Sequence, residues 1–109
     1  MIKNAEWLVV GHSKDFPTRI GRTIHIKGTE IAVFRTSENE LYAVENTNPH
    51  PKGGPLTEAI VSGHYIYDPL YDWKIDLRTG TVQEPDHGQI KTFAVCEEGE
   101  EVKISLETV

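Results

Sequence analysis

Short runs in which apolar and polar residues alternate, separated by turn residues, decide what this 109-residue chain can fold into. Ile24 and Ile26 alternate with Thr23, His25 and Lys27. Lys27-Gly28-Thr29-Glu30 then reads as a turn and Ile31-Ala32-Val33-Phe34 as an apolar run, so the pair forms a predicted hairpin. Ser37-Glu38-Asn39-Glu40 makes the next turn, ahead of Leu41-Tyr42-Ala43-Val44. Trp73, Ile75 and Leu77 alternate up to a turn at Arg78-Thr79-Gly80. Val102, Ile104 and Leu106 alternate after Glu98-Gly99-Glu100. A period of two sends successive side chains to opposite faces, as in half-buried antiparallel strands. No helical stripe of any length is present, and Ser13 to Phe16 offers at most a single turn before Pro17. An all-β barrel or sandwich is expected, as one domain over 1–109.

Two segments break the alternation: Asn48-Pro49-His50-Pro51-Lys52-Gly53-Gly54-Pro55-Leu56 and Asp68-Pro69-Leu70-Tyr71-Asp72-Trp73-Lys74. Proline cannot donate to a strand ladder, so these are loops interrupting the sheet, in a loop-rich subdomain over 47–77. Lys52-Gly53-Gly54 serves loop geometry, because glycine permits positive φ. Asn48 and Asp68 can each tie down a loop by accepting backbone N–H groups. Tyr71 can cover apolar space while its hydroxyl seeks a partner. His50, His64, Asp68 and Asp72 are the set from which a two-histidine, one-carboxylate iron site could be assembled if the loop tips converge. The preferred reading makes them loop polar groups with no metal. Trp73 is as well placed for the core as for contact, being in phase with Ile75 and Leu77.

A net charge of −6 disfavours nucleic acid as a partner, since phosphate binding needs a basic surface. No apolar run approaches the roughly 20 residues that span a bilayer, and Met1 to Trp7 lacks the order of a signal peptide. The single cysteine, Cys96, excludes an intrachain disulfide and is expected to be a small buried hydrophobe. A cytoplasmic location is expected. Ser37, Ser62 and Ser105 have no glycine-flanked elbow, and Gly53-Gly54 is not followed by the residues of a phosphate loop. Glu97 to Glu101 is expected to be a solvated tip. No catalytic site is expected.

Taken together, Gly53-Gly54-Pro55-Leu56, Gly63, Pro69-Leu70, Trp73-Lys74-Ile75-Asp76-Leu77 and Thr79-Gly80 resemble the cluster-binding region of a Rieske domain. Glu30 to Arg35, Tyr42 to Asn46 and Gln83-Glu84-Pro85 extend the resemblance to the small subunit of assimilatory NAD(P)H-dependent nitrite reductase. The resemblance covers nearly the whole chain. It implies a first loop of the form C-x-H and a second of the form C-x-x-H, two thiolates holding one iron and two imidazoles the other. At those positions this chain has Asn48, His50, Asp68 and Tyr71. An extra residue in the first loop leaves two alignments open: one keeps His50 at the imidazole position, the other puts Pro51 there. Under either, three or more ligands are absent. A neutral amide, a hard carboxylate and a phenol are poor substitutes, so a [2Fe–2S] cluster is not expected in this chain.

The resemblance further implies nitrate assimilation and a large partner subunit. That partner would carry flavin, an iron–sulfur cluster and sirohaem and reduce nitrite to ammonia, with this chain as its non-catalytic companion. A tip formed by Pro49, His50, Pro51, Pro55, Leu70 and Tyr71 is the expected contact surface. The alternatives are a Rieske-type ferredoxin that binds iron in an unusual way, and an adaptor of other function on the same scaffold.

Overall fold

The computed structural model describes residues 6–108, with side chains described to residue 106. The expectation drawn from Met1 to Ala5 therefore falls outside the described residues. Among the described residues nine strands run β1 (Leu8–His12), β2 (Arg22–Ile26), β3 (Thr29–Arg35), β4 (Leu41–Glu45), β5 (Ile60–Ser62), β6 (Tyr65–Tyr67), β7 (Lys74–Asp76), β8 (Thr92–Glu98) and β9 (Glu101–Thr108). A single 3₁₀ turn, Ser13–Asp15, stands where the sequence allows one. Six strands form one sheet in the order β1-β9-β8-β4-β3-β2, and β5-β6-β7 form a second, smaller one. The named strands pair antiparallel throughout. Among the described residues no helix is long and apolar enough to cross a membrane.

The Lys27–Glu30 turn and the β2–β3 hairpin fall where the alternation puts them, with Ile24 opposite Ile31 and Ile26 opposite Thr29. The unbroken run Ile31 to Phe34 has a different cause: β3 is buried on both faces. Ile31 and Val33 pack with Phe16, Ile26, Ala43, Phe93, Val102 and Ile104. Strands β2, β3, β4, β8 and β9 of one sheet all contribute to that cluster, so the sheet curls around its own core. Ala32 and Phe34 face the other way, into a second cluster with Val44, Leu56, Val61, Ile66, Ile75 and Leu77. That cluster fastens the small sheet to the large one. A fully buried side chain such as Phe34 contributes roughly 1.5–3 kcal/mol through removal from water.

The small sheet carries the loops. Its rear is shaped by Asp76, whose buried carboxylate accepts from Arg78 N (2.8 Å), Nε (3.2 Å) and Nη2 (3.0 Å). Burial opposes the charge of Asp76, but the Arg78 hydrogen bonds prevail and hold the carboxyl below its usual value. Gly80 closes the same turn at φ +77°, and an added Cβ would strike the Ile90 carbonyl oxygen. Gly80→Ala is therefore expected to cost about 1–3 kcal/mol, read as a lower urea midpoint. An unchanged midpoint would show that the turn can move.

Two expectations need correction. Cys96 is half-buried, not enclosed, because it lies on β8 opposite Lys103, two pairs from the turn that closes the β8–β9 hairpin. The Glu97–Glu101 tip is not simply solvated. Glu97 forms a bidentate pair with buried Arg35, at 2.8 and 3.2 Å, and Glu98 meets Lys103 Nζ at 2.8 Å.

Candidate functional site

Both proline-rich segments are loops at one end of the small sheet. The first leaves β4 and is gripped at its base by Asn46. The Asn46 Oδ1 accepts from Leu56 N at 2.6 Å, and its Nδ2 donates to Glu30 Oε2 at 2.7 Å. Asn48 N donates to Gly54 O at 2.7 Å, closing the neck. Inside, Asn48 Oδ1 accepts from His50 N at 2.9 Å, His50 O accepts from Gly53 N at 2.8 Å, and His50 Nδ1 accepts from Lys52 N at 3.1 Å. Gly53 and Gly54 sit at φ +64° and +106°, the positive-φ geometry expected of that pair.

The second loop, between β6 and β7, is organised by one carboxylate. Asp68 is 3% exposed. Its Oδ1 accepts from Leu70 N (2.9 Å) and Tyr71 N (2.6 Å), and its Oδ2 from Trp73 N (2.6 Å). Burial alone would raise the Asp68 pKa. The three backbone donors outweigh it, the Asn48 amide adds to them, and the carboxyl is held below its ordinary value. The Asn48 Nδ2 is buried beside this charge without reaching hydrogen-bond geometry.

Aromatic rings join the two loops. The His50 and Tyr71 rings stack with centroids 3.6 Å apart and planes within 6°. Trp73 meets His50 edge-on at 4.9 Å and packs against the core beneath, which is the core role that the sequence allowed it. The stack brings His50 against Tyr71, the residue that the resemblance puts at the second imidazole position.

The other candidates do not converge. His64 lies at the β5–β6 turn, the opposite end of β6 from Asp68. Its ring tilts against Tyr65, and its Nε2 stands 4.0 Å from Asp76 Oδ2. Asp72 is exposed at φ +59°. Among the described residues no group of three or more His, Cys, Asp or Glu side chains is placed to hold a metal ion. Of the expected contact residues, Pro51, Pro55 and Leu70 are exposed, Leu70 by 69%, while Pro49, His50 and Tyr71 are half-buried. Pro49 is close enough to Gly88 that a Cβ there would meet it at 3.2 Å, so the loop before Ile90 partly covers it.

The [2Fe–2S] cluster implied by the resemblance does not fit these residues. Such a cluster needs thiolates and imidazoles directed at a shared space. Here two rings at stacking distance fill that space, both Asp68 oxygens are engaged by backbone donors, and Asn48 Oδ1 and His50 Nδ1 are engaged likewise. Cys96, on the large sheet, is not among them.

Residues 6–105 match the family of Rieske-like [2Fe-2S] domains. Three solved structures share the fold. One, described as a nitrite reductase NADPH small subunit, has a TM-score of 0.81 at 24% identity, covering 91% of this chain and 97% of that one. A second, described as an NADH-dependent nitrite reductase small subunit from Mycobacterium tuberculosis, has a TM-score of 0.87 at 14% identity, covering 98% and 100%. A third comes from the complex of oxygenase and ferredoxin in carbazole 1,9a-dioxygenase, with a TM-score of 0.82 at 25% identity, covering 97% and 98%. Among curated proteins, the oxygenase component of 3-ketosteroid-9-alpha-monooxygenase from Rhodococcus rhodochrous is 31% identical over 68 residues, 62% of this chain. The chain covers only 17% of that protein's length.

Proposed function

The chain belongs to the Rieske-like [2Fe-2S] domain family, and from that premise we propose that it is the small, non-catalytic subunit of an NAD(P)H-dependent nitrite reductase. On this reading it acts in the cytoplasm, in nitrate assimilation, by associating with a large subunit that reduces nitrite to ammonia. Flavin, iron–sulfur cluster and sirohaem would belong to that partner. The observation that carries the reading is the match over nearly the whole of both small-subunit chains. The misfit of the loops to a cluster supports it by arguing against a carrier of electrons.

The contact surface we assign is the loop tip: Pro49, His50, Pro51, Pro55, Leu70 and Tyr71. Its hydrogen bonds and stacked rings are already in place, so little conformational freedom remains to be lost on docking. Leu70 offers a large apolar side chain of the tip to solvent.

Co-expression of this chain with the large subunit, followed by size-exclusion chromatography and a nitrite-reduction assay, tests the proposal. Co-elution is expected. Leu70→Asp is expected to weaken it at least about tenfold while leaving the unfolding transition of the free chain in place, as an exposed apolar contact should. No co-elution, together with turnover indifferent to the chain, would defeat the reading.

A second reading has its own support: the match to a chain of the ferredoxin–oxygenase complex favours an electron carrier of the Rieske type. It requires stoichiometric iron and visible absorbance in anaerobically prepared protein.

A further inference from the structure

We propose that the stack of His50 on Tyr71 joins the two loops of this chain where a second iron would join them, with Asn48 and Asp68 bracing each loop from the thiolate positions, so that the tip keeps its shape without metal. A Rieske cluster ties the first loop to the second twice: one iron bridges the thiolate pair and the other the imidazole pair. In this chain the thiolate positions are Asn48 and Asp68, each 3% exposed. The imidazole positions are His50 and Tyr71, stacked at 3.6 Å. The second pair meets directly, while the Asn48 amide lies beside the Asp68 carboxylate without a hydrogen bond to it.

The two pairs divide the work. Asn48 and Asp68 act chiefly within their loops and do so alike: each turns one side-chain oxygen onto the N–H two residues ahead, that of His50 and that of Leu70. Asp68 adds Tyr71 N and Trp73 N. These bonds set the backbone from which His50 and Tyr71 project. The parallel stack then connects loop to loop, and the Trp73 edge joins it to the core. Rings at van der Waals distance leave no space for an atom between them, so the lock and an iron at that position exclude one another. From the proposed function this inference takes only the absence of a cluster.

The test uses the whole chain after chelator treatment. In its NMR spectrum the His50 ring protons are expected upfield of their free positions, shielded by the Tyr71 ring, and to return towards those positions in Tyr71→Leu. The amides of Leu70, Tyr71 and Trp73 are expected to exchange slowly in the same metal-free protein. A double-mutant cycle of His50→Ala and Tyr71→Ala should show a coupling of about 2- to 10-fold in the unfolding equilibrium constant, the range for an aromatic pair. Additive effects of the two substitutions, or unshifted ring protons with freely exchanging amides, would overturn the lock. Anaerobic incubation with ferrous iron and sulfide tests the missing cluster separately. No visible absorbance and no gain in stability are expected, whereas stoichiometric iron with a raised melting temperature would overturn the inference.

Discussion

Arg35→Met is expected to destabilise the protein by about 2–4 kcal/mol, since it removes a buried guanidinium and the hydrogen bonds it donates, while the Glu97 carboxylate left behind can turn to solvent. The Arg35 side chain is 8% exposed, and each of its five N–H groups has an acceptor. Nε donates to Phe16 O at 2.6 Å. Nη1 donates to Asn39 Oδ1 at 2.8 Å and Glu97 Oε1 at 3.2 Å. Nη2 donates to Glu97 Oε2 at 2.8 Å and, at a longer 3.4 Å, to Ser13 O. One side chain thus ties the 3₁₀ turn and the segment after it, the β3–β4 turn and β8 together. Methionine fills much of the volume but leaves those acceptors unpaired. Arg35→Lys should recover less than half of the loss, since an ammonium cannot fork onto a carboxylate and still reach Phe16 O.

Glu97→Gln should cost less, about 1 kcal/mol, because the glutamate is partly exposed and solvent screens it. The Arg35 hydrogen bonds lower the Glu97 pKa from 4.5 to about 2, with the Ser13 hydroxyl close by contributing less. A lowered folded-state pKa means that this stabilisation is fully present above about pH 4.5 and is lost as the pH falls through about 2. Chemical denaturation of the three variants at pH 7 and pH 3 measures both effects. A loss below about 1 kcal/mol for Arg35→Met would show that water replaces the guanidinium.

The strands were legible because their cause is local. The alternation of Ile24 and Ile26 and the Lys27–Glu30 turn specify the first hairpin, and prolines mark both loops. Even the double burial of β3 is foreshadowed by the unbroken run Ile31 to Phe34. Arg35 was not legible. It follows that run like any charged residue at a strand end, and its main partner lies 62 residues away. In Glu97-Glu98-Gly99-Glu100-Glu101, nothing local distinguishes the carboxylate that turns inward from those that face water. The loops lay in between. The backbone-binding roles of Asn48 and Asp68 follow from their residue types. The stack of His50 on Tyr71 depends on how two loops approach in space. A bridging pair has no local signature.

The second large effect is expected at Asp68, where alanine should cost about 2–4 kcal/mol. Three backbone donors now bonded to a charged acceptor would lose it together, and hydrogen bonds to charged groups contribute about 1.5–3 kcal/mol each where fully buried. The exposure of neighbouring Leu70 admits water and keeps the total below the sum. Asp68→Asn should cost less, since one oxygen can still serve Leu70 N and Tyr71 N, but its NH2 would face Trp73 N. The pH dependence separates charge from shape. The folded-state pKa of Asp68 lies below its ordinary value, so the advantage of the wild type over Asp68→Asn is expected in full above about pH 4. It should disappear as the pH falls through that lower value. Glu97 and Asp76 titrate in the same acid window in both proteins and cancel in the difference. A difference independent of pH would mean that geometry alone is at work. Asp68→Cys should be about as damaging as alanine, because a thiol is a weak acceptor for three N–H groups. Restoring one thiol position thus removes the carboxylate that organises the loop, while Tyr71 still fills the space beside His50. Building a cluster-binding tip on this chain would require substitutions at Asn48, Asp68 and Tyr71 together, each of which alone weakens the lock.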